Sequence, residues 1–294
     1  MKRRAFLMTA AVAPVLGAAP AAQAKGMRLG VITAIGKDPN PGIKRVKDLG
    51  FPSCQLYAGS SAGPELAKLT RAAIERYGIE ITALIATGPA PEVYDFYRGP
   101  ETIGVVPRQY RAARIAVIKK ASDFAKMCGI PAVQTHCGFI PENPNDPLYK
   151  EAVAAIREVA QYCKQNGQNF RCETGQETPI TLVRAIRDAG VDSLGVNLDP
   201  ANLIMYGKAN PVDAVEVLGP YIQGVHAKDG LYPTDPKALG AEVPIGKGKV
   251  NFPVFVRRLK EAGYRGALTI EREIEGAEQT RDILESKAFL EKLI

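Results

Sequence analysis

The chain has no tryptophan and only two histidines in 294 residues. A zinc centre built entirely from protein ligands would call for more histidines or a set of spaced cysteines. The five cysteines (Cys54, Cys128, Cys137, Cys163, Cys172) are odd in number and follow no framework spacing. They are expected to be buried free thiols, with a Cys137–Cys172 disulfide as the alternative if both face outward on adjacent strands. There is no GxGxxG turn: the first strand-like run continues as "GVITAIGKDPNPG", which argues against a doubly wound dinucleotide fold. No stripe of lysine and arginine interleaved with aromatics is present, so no nucleic-acid partner is expected.

Apolar runs are short as well. The opening "MKRRAFLMTAAVAPVLGAAPAAQA" has a basic start, an apolar stretch too short to span a bilayer, and the small-residue sequence Ala22-Gln23-Ala24. That pattern is expected of a removable export signal over residues 1–24, which leaves no stable membrane anchor. Arg3 and Arg4 before Phe6-Leu7-Met8 fit the twin-arginine variety, which exports folded proteins to a periplasmic or other extracytoplasmic address. Losing Lys2, Arg3 and Arg4 takes 38 basic residues to 35, against 31 acidic, a mature excess of +4.

What the rest contains is a recurring unit. Short runs rich in β-branched residues alternate with amphipathic segments, many closed by a glycine: Gly50, Gly78, Gly129, Gly167, Gly190, Gly219 and Gly263. A glycine just past a helix can take the left-handed conformation that caps it. Strands are predicted at 28–35, 53–59, 80–88, 132–139, 169–175, 193–200, 222–229 and 267–273, with helices between them such as 152–165 and 252–262. Eight such pairs predict a single-domain (β/α)8 barrel over residues 25–294. Several strand-to-helix loops are long, notably 87–112 with Tyr94, Phe96, Tyr97 and Tyr110. In a barrel those loops gather at the end where active sites lie, and aromatics there suit a lid over a bound molecule.

Glu173, Asp199, His226 and Glu271 fall near the ends of strands five to eight. Alternation places Arg171, Glu173 and Gly175 on one face of strand five and Cys172 on the other. Convergence at the barrel mouth would bring three carboxylates and an imidazole together, which requires a compensating proton or cation. One imidazole with three carboxylates suits a single divalent ion of the Mn²⁺, Mg²⁺ or Co²⁺ kind, with Zn²⁺ still allowed.

The segments "CETGQETP", "GVNLDPANLIMYG", "GVHAKDG", "THCGFIPE" and "IGKGKVNFPVFVRRLKEAGYRGALTIERE" resemble the sugar phosphate isomerase/epimerase family, within the xylose-isomerase-like barrel superfamily. The resemblance covers nearly all of the mature chain. It implies metal ligation by Glu173, Asp199, His226 and Glu271, with Glu273, of equal strand parity, as the alternative to Glu271. It also implies proton transfer by Glu173 and Glu271 through a metal-stabilised enediolate. Where family members commonly carry histidine three residues after the aspartate, this chain has Asn202.

His136, Lys228, Asn202, Glu142 and Arg171 are the candidate substrate contacts, with Gln176 and Glu177 as further polar lining. Lys228 has a plainer alternative in an ion pair with Asp229. "GKGKV" (246–250) is a weak phosphate-binding signal. The expected partner is a small sugar or keto-sugar, and a homo-oligomer is compatible with the sequence. The rival activity is a metal-dependent lyase or hydratase on keto-sugars or 3-keto-glycosides. A DNA-repair nuclease of the same superfamily, which needs three zinc ions and many histidines, fits two histidines badly. A binding protein without turnover would have little reason to keep all four ligands.

Overall fold

The computed structural model describes residues 26–58 and 63–294, so the expected export signal lies outside the described residues. Strands β1 (Arg28–Ile35), β2 (Ser53–Ala58), β3 (Glu80–Ile85), β4 (Ala132–His136), β5 (Asn169–Glu173), β6 (Leu194–Leu198) and β7 (Ile222–Ala227) run in sequence around a parallel wall. A small antiparallel ribbon, β8 (Asp229–Gly230) with β9 (Glu242–Val243), stands apart from it. Then β10 (Ala267–Ile270) enters between β7 and β1 and closes the barrel. Eight parallel strands with helices between them make this a TIM barrel. The predicted strands overrun several observed ones: 80–88 and 267–273 continue into loop at the mouth, and 193–200 reaches the first residue of the next helix.

The helices outside the wall are α1 (Asn40–Asp48), α2 (Pro64–Tyr77), α3 (Gly99–Thr102), α4 (Arg108–Cys128), α5 (Pro147–Gln165), α6 (Pro179–Ala189), α7 (Pro200–Met205), α8 (Pro211–Leu218), α9 (Phe252–Glu261) and α10 (Gly276–Leu290). Most begin with proline in the first turn, where a missing N–H costs nothing. Asp146, Thr178, Asp199 and Asn210 cap α5, α6, α7 and α8 through their side-chain oxygens. Gly190 closes α6 at φ 66°, as expected of a glycine stop. Gly219 does not do so: at φ −40° it continues from α8 into a 3-10 turn over Gly219–Tyr221. None of the described helices is long and apolar enough to cross a membrane.

Alternation sorts each strand into two faces. Leu56, Phe170, Val196, Val225 and Leu268 point outward and meet Ile156, Leu182, Phe255 and Leu259 of the helical ring, all fully buried. Each such side chain contributes about 1.5–3 kcal/mol of burial. Cys172 lies on this outer face too, with its sulfur 3.0 Å from that of Cys137. All five cysteines are buried free thiols. The inward faces are polar instead, carrying Gln55, Gln134, Arg171, Asn197, His226 and Thr269, all buried. A barrel interior normally packs branched apolar residues, so this polar column calls for an explanation in chemistry.

Candidate metal centre

Strands β5, β6, β7 and β10 deliver Glu173, Asp199, His226 and Glu271 to one point at the barrel mouth. One donor atom from each lies within 4.8 Å of the other three. His226 Nδ1 is 3.0 Å from Glu173 Oε1, 3.2 Å from Glu271 Oε2 and 3.4 Å from Asp199 Oδ2. All four side chains are buried. Asp199 Oδ2 and His226 Nδ1 have no hydrogen-bond partner although fully enclosed. Buried groups of this kind are nearly always satisfied, and a cation would satisfy both. The donor set, three carboxylates and one imidazole, therefore fits a hard divalent ion.

The imidazole is fixed from below. His226 Nε2 lies 2.8 Å from Gln55 Oε1, and Gln134 Nε2 donates to the same oxygen at 2.9 Å. Gln55 Oε1 can only accept, so Nε2 carries a proton, which leaves Nδ1 as the ring nitrogen that faces the carboxylates. Sequence reasoning missed both glutamines.

Electrostatics separate the acids. Burial opposes ionisation of Glu173, yet His136 and His226 beside it bring its pKa below the ordinary value. Burial likewise opposes Glu271, but Lys228 and His226 hold it well below that range. Asp199 is pushed up by burial, only partly offset by Lys228 and His226. Burial alone would lower His226, and the charges of Glu173 and Glu271 raise it well above 6.5.

The other expected site residues fall in three places. Lys228 is buried beside the cluster, pairing with Glu271 at 3.1 Å and Glu273 at 2.9 Å rather than with Asp229. Glu273 is well exposed and serves Lys228 from outside the donor cluster. Asn202 sits between Glu173 and Lys228, 3.5 Å from each, and its backbone N–H caps onto Asp199. His136 stands 3.6 Å from Glu173, edge-on to Tyr94.

Two expected contacts lie elsewhere. Glu142 is exposed, because the turn through Asn143 and Asp146 carries the chain outward onto α5 while Arg184 holds the Glu142 carbonyl. Arg171 shares a face with Glu173, as alternation requires, but sits two residues deeper. It lines a cavity at the opposite, strand-start end, where burial lowers its guanidinium to about 10.

The mouth cavity, of about 160 Å³, is lined by Tyr57, Thr87, Tyr94, His136, Glu173 and Glu271 among others. That is smaller than the ~300–1,000 Å³ of drug-sized ligand sites and suits a small polar molecule. The long 86–107 loop above it is clamped rather than loose. Buried Arg114 donates to the Gly104 and Pro91 carbonyls and stacks on Tyr110. Tyr94 reaches the cavity from this loop, Phe96 packs on Tyr206, and Tyr97 faces solvent. The "GKGKV" turn is already filled: the N–H groups of Gly246, Gly248 and Val250 all donate to the Asp229 carboxylate.

The profile of the family described as xylose isomerase-like TIM barrel matches residues 43–293. A xylose isomerase domain protein from Planctomyces limnophilus is 35% identical, with TM-score 0.85 over 91% of this chain and 97% of that one. The chain belongs to the xylose isomerase-like TIM barrel family. A D-tagatose 3-epimerase-like protein superposes at TM-score 0.72 with 21% identity, over 91% of this chain and 97% of that one. A family member from Mycobacterium smegmatis, in complex with magnesium, does so at 0.67 with 20% identity, over 90% and 96%. These two likenesses establish the fold alone. Among curated relatives, an uncharacterized protein of Methanocaldococcus jannaschii is 29% identical over 63% of each chain. The chain thus spans less than two thirds of that relative's length.

Proposed function

We propose that this protein is a divalent-metal-dependent epimerase or isomerase of a small free ketose or keto-sugar, acting at an extracytoplasmic address. One observation carries the reading: Glu173 and Glu271, from strands three apart around the barrel, both line the mouth cavity beside the donor cluster. Two ionised carboxylates on different sides of one small cavity can take a proton from one face of a carbon and return it to the other. Lys228 keeps Glu271 ionised, and His136 does the same for Glu173. Glu173, Asp199, His226 and Glu271 would hold the metal. The chemistry a bound divalent cation supplies is stabilisation of negative charge on adjacent substrate oxygens.

The epimerase-like relative with the same fold supports the reaction class, and the magnesium-bound relative supports a hard ion. A phosphate is not called for, since Asp229 fills the one loop that suggested it. The elimination reading has no support among these relatives.

The test is proton NMR in D₂O with metal-loaded protein, a panel of ketoses and 3-keto-glycosides, and a chelator-treated control. Metal-dependent deuterium entry beside the carbonyl, with a new epimer or isomer, is expected. Glu173→Gln and Glu271→Gln should each slow exchange by at least about 10²-fold, with metal content measured alongside. Loss of water or a glycoside would replace this reading with a lyase. Absence of any exchange in metal-loaded protein would count against it.

A further inference from the structure

At the end of the barrel opposite the metal cluster, a cavity of about 100 Å³ is bounded by Arg28, Gln55, Glu80, Arg171, Gln223 and Tyr264. Arg171 is 7% exposed and makes no hydrogen bond or ion pair with any described residue; its Nε is fully enclosed without a partner. The other charges on the wall neutralise each other, since Arg28 Nε donates to Glu80 Oε2 at 2.7 Å. Tyr264 is engaged too, its hydroxyl donating to the Ala267 carbonyl. That leaves one uncompensated guanidinium, permanently charged and presenting its donors in a planar fork. The side-chain amides of Gln55 and Gln223 also line the space, and neither amide nitrogen donates to any described residue.

Two glycines keep the space open. A Cβ on Gly224 would lie 2.5 Å from Asn197 Oδ1 and 2.9 Å from Arg171 Nη1, and one on Gly195 would lie 2.3 Å from Gln223 Cδ. Any side chain at either position would displace a donor from the cavity. Burying an unpaired charge is costly unless a counter-charge accompanies it.

We infer that this cavity is a binding site for a small monovalent anion, a halide or a one-carbon carboxylate, held by Arg171 with the amides of Gln55 and Gln223. Its size, about three water volumes, excludes a sugar, so the site is distinct from the mouth. It is also connected to the mouth. Gln55 offers its nitrogen to the cavity while its oxygen accepts from His226 Nε2. An anion that orients the Gln55 amide thereby fixes the tautomer of the imidazole above it.

The test combines crystals of the mature protein grown with bromide as the sole small anion and melting in chloride, bromide or formate. Gluconate at the same ionic strength is the reference. Expected are an anomalous peak beside Arg171 and a saturable Tm rise of about 3 °C at tenfold excess over Kd. Arg171→Met should abolish the rise. Gln223→Leu, which keeps the charge, should weaken apparent affinity about tenfold and guards against a misfolded Arg171 variant. A lower half-effect concentration for formate identifies a carboxylate site, and the reverse order identifies a halide site. Ordered water alone in the cavity, with Tm equal in all four salts, overturns the inference.

Discussion

Glu177 follows Glu173 by four residues, and nothing pairs with its Oε2 although it is buried. Burial pushes its carboxyl up to about 8. The folded state therefore keeps a proton that the unfolded chain gives up near pH 4.5. Stability conferred by that proton is present below the unfolded value and is lost as pH rises toward 8. Glu177→Gln removes this slope. The variant and the parent should melt nearly alike near pH 5, and the variant should be more stable at pH 8 by on the order of 3 kcal/mol. Denaturant titrations at both pH values check it; an equal difference at both would rule out a buried neutral acid. At this same scale the sequence was partly legible. The four residues of the donor cluster stand at strand ends, where position alone marks them. Arg171 has the parity of Glu173 but not its depth, and parity says nothing about depth along a barrel.

Among the elements, the β8–β9 ribbon and the turn after it depend on one side chain. Asp229 accepts from the N–H groups of Gly230, Gly246, Gly248 and Val250. Hydrogen bonds to a charged group are worth about 1.5–3 kcal/mol each and do not add fully. Asp229→Ala should destabilise the protein by at least about 2 kcal/mol, with faster hydrogen exchange concentrated at residues 245–251. Uniform acceleration across the chain would show that the carboxylate does not organise this segment. Two-residue strands show no alternation, so the ribbon could not be read from sequence, nor could the six-residue helix α7. A second pattern is present in the strands. Two positions before Tyr57, His136, Glu173, Asp199, His226 and Glu271 stand Gln55, Gln134, Arg171, Asn197, Gly224 and Thr269. Each is polar or glycine, which is how a polar interior appears in a strand.

For the molecule as a whole, the barrel is stable against its own centre only with a compensating cation or proton. Without metal, Glu173 and Glu271 raise His226 well above 6.5, against the pull of burial, which favours the protonated ring. Ligation needs the neutral ring, so binding must release that proton, and affinity should climb about tenfold per pH unit below the raised pKa. Calorimetry in buffers of different ionisation heat measures the released proton directly; none released would mean Nδ1 is not a ligand. Saturation at about 100 times Kd should add roughly 2.7 kcal/mol, a Tm rise of about 5–10 °C that a chelator reverses.

The bracing of His226 has a kinetic side. Gln55, which accepts from the ring, and Gln134, which donates to Gln55, come from β2 and β4, 171 and 92 residues away from it along the chain. Contacts so distant in sequence form late in folding, after the loops between them have closed. Half of the barrel, refolding alone, holds either the glutamines or the imidazole, never both. The moment at which a refolding chain first captures metal with native affinity is therefore a clock for the closing of the barrel.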